Sequence, residues 1–157
     1  MADECRSVLF VCLGNICRSP TSEAILRHLL AQKGLDKQWK LDSAAIGPWH
    51  VGKRPDRRGL AIQKREGVPN THRARQVCEE DFREFGLILA FDDENVQDLE
   101  QLRPKDGTAK VELFGKYDPD GVTIIEDPYY GDEDDFEVMY KHCYRCCQEF
   151  MKKNCSA

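Results

Sequence analysis

A short apolar run, Val8-Leu9-Phe10-Val11, opens directly onto Cys12-Leu13-Gly14-Asn15-Ile16-Cys17-Arg18-Ser19 and then Pro20. The run reads as a buried strand and the proline as an early helical position, so this stretch is a loop joining strand to helix. Such a turn aims several backbone N–H groups and the positive helix end at whatever occupies the loop, and those donors suit a phosphate. The same field favours Cys12 as a thiolate nucleophile. Arg18 can fork two N–H donors onto phosphoryl oxygens, which a lysine could not do. Gly14 and Asn15 are the residue types that most readily accept left-handed backbone angles, letting the loop curl its amides inward. Ser19 reads as an N-cap before Pro20 and can offer its hydroxyl to the Cys12 sulfur. The chemistry this suggests is transfer of phosphate onto sulfur. The plainer alternative is a cysteine at the buried end of a strand beside a solvated arginine.

Periodicity extends the pattern into alternating strands and helices. After the strand Ser7–Val11 comes a helix from Pro20 to about Lys33, stopped by Gly34. Trp39–Ala44 reads as a second strand, Pro55–Arg65 as a helix opened by proline and closed by Gly67, and Glu79–Phe85 as a further helical turn or two. The continuously apolar Leu87–Phe91 suits a central parallel strand. Asp93–Leu102 is the next helix, Lys110–Phe114 a strand and Asp134–Lys153 the last helix. The expected fold is an α/β sandwich with functional loops at the carboxyl ends of its strands. With 157 residues, 41% of them hydrophobic, the chain suits one domain over residues 1–157. A net charge of −5 argues against a general nucleic-acid binder. No signal or bilayer-length apolar stretch is visible, so a cytoplasmic protein is expected.

Val11-Cys12-Leu13-Gly14-Asn15-Ile16-Cys17-Arg18-Ser19-Pro20, with Glu126-Asp127-Pro128-Tyr129-Tyr130-Gly131 far downstream, resembles the low-molecular-weight protein tyrosine phosphatases of the eukaryotic acid phosphatase type. The resemblance runs from Ser7 to about Phe150. It implies a three-layer sandwich around a four-stranded parallel sheet in the order 2-1-3-4. It also implies hydrolysis of phosphotyrosine in proteins and of small aryl phosphates through a phosphocysteine intermediate, with no cofactor and no metal. Phosphate would be held by the loop from Leu13 through Gly14, Asn15, Ile16 and Cys17 to Arg18. Implied partners are phosphotyrosine proteins, and the expected state is a monomer with weak self-association left open.

Asp127 is the second chemical residue. A tyrosyl oxygen is a poor anionic leaving group, which a positioned carboxylic acid can protonate, and the ionised acid can later activate water against phosphocysteine. Alone, an Asp before Pro is a turn residue, and the family match is what gives it this role. Resemblance places Trp49, in the variable segment Gly47–Lys53, beside the cleft with Tyr129 and Tyr130, whose flat rings suit a phenyl group. It further implies that Tyr129 and Tyr130 are phosphorylation sites, and that Ser43 and His72 hold Asn15 in a strained conformation. With the resemblance, Cys17 becomes the partner that traps oxidised Cys12 as a disulfide.

Other candidates take plainer readings. Cys143, Cys146 and Cys147 lie on a helical repeat with Phe136, Met139, Tyr140 and Phe150, which makes them small core hydrophobes rather than metal ligands. His28, His50 and His142 read as helix or surface histidines, and Glu126 and the run Asp132–Asp135 as solvated charges. Arg58, Arg73 and Arg75 are candidates for guiding acidic phosphopeptides, with solvated surface charge as the default. A phosphotyrosine-binding module would need neither Cys12 nor Asp127. An arsenate reductase would need a cysteine relay where Phe82 and Leu89 stand, with Cys78 lacking an evident partner. A nucleotide-binding P-loop would need the Gly-Lys-Ser/Thr ending that this loop lacks.

Overall fold

The computed structural model describes residues 6–155, so Cys5 lies outside the described residues. Four strands, β1 (Ser7–Cys12), β2 (Lys40–Ala45), β3 (Leu87–Ala90) and β4 (Lys110–Leu113), form one sheet in the order β2-β1-β3-β4. All pairings are parallel, with Phe10 opposite Ser43 and Leu89, and Cys12 opposite Ala45. The helices are α1 (Arg18–Gln32), α2 (Arg57–Arg65), α3 (Glu79–Glu84), α4 (Asp93–Leu102) and α5 (Glu133–Asn154).

Every residue of β1 is buried, because the strand is interior to the sheet and covered on both faces. Successive side chains point to opposite faces, and the two cores follow that alternation. Val8, Phe10 and Cys12 join Ile25, Leu26, Phe136, Cys143, Cys147 and Phe150 under α1 and α5. Leu9 and Val11 join Val77, Phe82 and Leu99 under α3 and α4. The sandwich is therefore three layers thick, as the resemblance implied. On α5 the buried positions recur at three- and four-residue steps, and Cys143, Cys146 and Cys147 pack there as small hydrophobes. Phe150 meets Trp39 and Tyr117 edge to face, at ring separations of 5.7 and 5.1 Å. A fully buried side chain of this size stabilises the fold by about 1.5–3 kcal/mol over an exposed one.

Two expected helix starts move. Ser19 is not the cap of α1: the helix begins at Arg18 behind Cys17, whose side chain makes no capping bond, because the Ser19 hydroxyl is committed to the loop. In α2 the cap is Asp56, accepting from the Arg58 amide, and Pro55 precedes the cap instead of opening the helix. The stops fall where expected. Gly34, at φ 71°, lets the Leu35 amide reach back to the Leu30 carbonyl at 2.9 Å and its own to Ala31 at 3.0 Å. No helix among the described residues is long and apolar enough to cross a membrane.

Candidate active site

The loop between β1 and α1 is held by its carbonyls. Cys12 O accepts from Ile46 N at 2.9 Å, Leu13 O from Gly47 N at 3.2 Å, Ile16 O from Asp56 N at 2.8 Å and Cys17 O from Thr21 N at 3.4 Å. Since a trans peptide sets its N–H opposite its C=O, outward carbonyls turn the amides of Leu13, Gly14, Cys17 and Arg18 the other way, into the cleft. Asn15 makes the bend. It is the non-glycine residue with positive φ, 59°, among the described residues. Gly14, expected to share that conformation, does not adopt it. Its lack of a side chain serves space instead, since a Cβ there would come within 2.9 Å of His50 Cδ2.

A buried network holds Asn15. Its Nδ2 donates to Ser19 Oγ at 2.8 Å and to Ser43 Oγ at 3.0 Å, while its Oδ1 accepts from the Arg75 amide at 3.1 Å and lies 2.7 Å from His72 Nε2. Ser43 Oγ in turn donates to Glu23 Oε1 at 2.7 Å. Burial lowers the His72 pKa, against the pull of Glu23 and Asp42. Glu23, Asp42 and His72 bring metal-type donor atoms within 4.8 Å of one another. Their carboxylates are already taken by the protein: Glu23 by Ser43 and Arg27, Asp42 by the Ser43 amide and Arg75.

The Cys12 sulfur lies at the floor, 2.9 Å from Ser19 Oγ and 3.4 Å from the Ser19 amide, so two donors meet it from the first turn of α1. Arg18 is only 2% exposed. Its Nη1 donates to Asp92 Oδ2 at 2.8 Å and to Ile125 O at 3.0 Å, and its Nη2 lies 3.6 Å from Asp127 Oδ2. Its Nε has no partner among the described residues, which leaves that donor for an anion in the loop. Asp127 closes the opposite wall, with its Oδ1 accepting from the Tyr129 amide at 3.1 Å.

These groups line one cleft of about 430 Å³ with Leu13, Ile16, Cys17, Trp49, His50, Tyr129 and Tyr130. Tyr130, 95% exposed, meets the Tyr129 ring at a right angle with centroids 4.9 Å apart. Trp49 folds over Gly47, where a Cβ would overlap the indole at 1.9 Å.

Several plain readings of the sequence change. His50 is a cleft residue, 6.0 Å from the Tyr129 ring; His142 lies on α5, as a helix histidine would, and is buried there, 2.8 Å from the Val122 carbonyl oxygen and 3.1 Å from Asp118. Arg75 is locked between Asp42 and Asp81, whereas Arg73 stays on the surface. Asp92 and Glu23 carried no expectation. Asp92 caps α4 at the carboxyl end of β3, where site residues concentrate in parallel sheets, and that position is the signal that could have found it. Phe82 and Leu89 are buried core side chains, and Cys78 is an exposed free thiol, so no cysteine relay of the arsenate reductase kind stands there.

Residues 7–155 match the model of a family described as low molecular weight phosphotyrosine protein phosphatase. The chain belongs to that family. A Gallus gallus relative of that name is 49% identical over 154 residues, covering 97% of this chain and 98% of the relative. The Homo sapiens protein of the same name is 49% identical over 150 residues, covering 94% and 95%. The structure of a Drosophila arginine phosphatase superposes with a TM-score of 0.89 at 36% identity, covering 95% of this chain and 98% of that one. The order β2-β1-β3-β4 is thus that of a low-molecular-weight phosphatase, and the protein is a phosphatase.

Proposed function

We propose that this phosphatase hydrolyses phosphotyrosine in proteins, and small aryl phosphates, by two displacements at phosphorus. The Cys12 thiolate attacks phosphorus while the bond to the tyrosyl oxygen breaks and Asp127 gives that oxygen its proton. Water then attacks the phosphocysteine, Asp127 takes its proton, and the S–P bond breaks to release inorganic phosphate and the thiolate. Arg18 and the loop amides hold the three phosphoryl oxygens and meet the charge that builds there. The observation that carries the reading is the convergence of Cys12, Arg18 and Asp127 on one cleft, with two Ser19 donors at the sulfur. We place the activity in one domain and the protein in the cytoplasm. The family match over nearly the whole chain supports the first, and the free thiols among the described residues support the second.

A second substrate is suggested by the arginine phosphatase neighbour. Flat walls can stack either a phenyl ring or a guanidinium, but among the described residues Asp127 is the one carboxylate lining the cleft, fewer than a guanidinium leaving group would favour. A phosphotyrosine peptide, phenyl phosphate, a phosphoarginine peptide and a small alkyl phosphate should be compared with and without chelator. The phosphotyrosine peptide should exceed the others by roughly tenfold or more in kcat/KM and be indifferent to chelator. Preference for phosphoarginine would replace the substrate reading, and loss with chelator would remove the metal-free mechanism.

The cysteine pair makes a second prediction. Peroxide converts the Cys12 thiolate to a sulfenic acid, and attack by Cys17 sulfur expels hydroxide as the disulfide forms. Burial, with the Cys12 charge, pushes the Cys17 thiol well above the ordinary range, so the attack should quicken as pH rises. Wild type inactivated by peroxide should recover in dithiothreitol, while Cys17→Ser should keep catalysis and lose most recovery. Equal recovery, with no Cys12–Cys17 linked peptide by mass spectrometry, would reject the pairing.

A further inference from the structure

Arg58 reads in the sequence as a surface charge, yet it bridges the two halves of the site. Its Nε and Nη2 lie 3.1 and 3.0 Å from the two carboxylate oxygens of Asp56, and its guanidinium covers the Phe136 ring at 4.3 Å. From that fixed position Nη2 donates to Tyr129 O and Nη1 to Gly131 O, each at 3.0 Å. Asp56 is itself bound to the phosphate loop, its amide donating to Ile16 O at 2.8 Å. An unbroken series therefore runs from the phosphate loop through Asp56 and Arg58 to the backbone that follows Asp127.

The acid loop is tied on both sides of Asp127. Upstream, the Ile125 amide donates to Phe91 O at 2.9 Å and the Ile125 carbonyl accepts from Arg18. Downstream, the turn closed by Gly131 N to Pro128 O at 2.9 Å is the segment that Arg58 grips. Gly131 also sits so close to α5 that a Cβ would overlap Asp135 Oδ2 at 2.0 Å. Asp127 lies between these ties, with its side chain accepting from the Tyr129 amide and lying 3.6 Å from Arg18.

We propose that Arg58 is a positioning residue, which by bridging Asp56 to the Tyr129 and Gly131 carbonyls sets the acid at a fixed distance from the phosphorus held over Cys12. The inference rests on the general-acid reading of Asp127. A planar fork is needed, because one guanidinium satisfies a carboxylate and two carbonyls at once, whereas an ammonium is a single point donor. Displacing a catalytic group by a fraction of its reach is costly in rate even when nothing in the cleft is lost.

The test is kcat/KM over aryl phosphates whose phenols span a range of pKa, for wild type, Asp127→Ala, Arg58→Ala and Arg58→Lys. Both Arg58 variants should lose roughly tenfold with phenyl phosphate and less than about twofold with 4-nitrophenyl phosphate, because only the poor leaving group needs a well-placed proton. Arg58→Lys keeps the charge beside Asp56 and its fold is checked by thermal unfolding, so the measurement stands even if Arg58→Ala unfolds. Equal loss along the series, or none, in a folded Arg58 variant overturns the proposal while leaving the acid in place. If Asp127→Ala itself shows no steeper dependence than wild type, Asp127 is not the acid and the role of Arg58 falls with it.

Discussion

Cys12→Ser should fold normally and lose about 10⁴-fold or more in kcat/KM toward aryl phosphates. The site converges on the sulfur: the Ser19 hydroxyl and amide both meet it, and the outward carbonyls of the loop leave amides turned toward the same point. A serine hydroxyl in that place meets only another hydroxyl and an amide of Ser19 among the described residues, keeps its proton, and so cannot attack phosphorus at a useful rate. The substitution barely changes volume at a position that is 2% exposed, and Arg18 and the loop remain. Phosphate should therefore still bind. Acid quenching during turnover should trap a phosphoprotein from wild type and none from the variant, while calorimetry finds phosphate binding in both. Residual turnover within about tenfold of wild type would take the nucleophile away from Cys12.

Asp127→Ala should cost on the order of 10²–10³-fold for phenyl phosphate and much less for 4-nitrophenyl phosphate. A carboxylic acid matters in proportion to how badly the departing oxygen needs a proton, and an activated phenolate leaves without one. Asp127 stands across the cleft from Cys12 and near Arg18, and among the described residues that line the cleft it is the carboxylate. Removing it should also slow water attack in the second step, so phosphoenzyme should accumulate with the activated substrate. The two readouts separate the two roles: the leaving-group slope of kcat/KM reports the acid, and the trapped phosphoenzyme reports the base. A parallel loss for every leaving group would deny Asp127 the proton transfer.

Much of this molecule is legible in its sequence. The apolar run at Val8 must be buried, the turn after it must be a loop, and Gly34 and Gly67 must end helices, because those are local consequences of side-chain polarity and backbone freedom. The helix at 93–102 and the last helix, read at 134–153 and found at 133–154, follow from periodicity in the same way. The family motifs at 11–20 and 126–131 carried Cys12, Arg18 and Asp127. Local rules misplaced the caps. Ser19 looked like an N-cap because the rule weighs a hydroxyl against its own helix, whereas here a sulfur seven residues back and Asn15 claim it.

What the sequence by itself determined was the order of strands and helices and the two short motifs where chemistry could occur. Only the tertiary structure decided which charged groups face them. Asp92 reaches Arg18 across 74 positions, Glu23 reaches Asn15 through Ser43, His50 comes to lie on Gly14, and Arg58 crosses more than 70 positions to the acid loop. None of these pairings has a period or a spacing along the chain. Each arises because a parallel sheet gathers the carboxyl ends of β1, β2 and β3 on one edge, so residues far apart in sequence must satisfy one another's hydrogen bonds there.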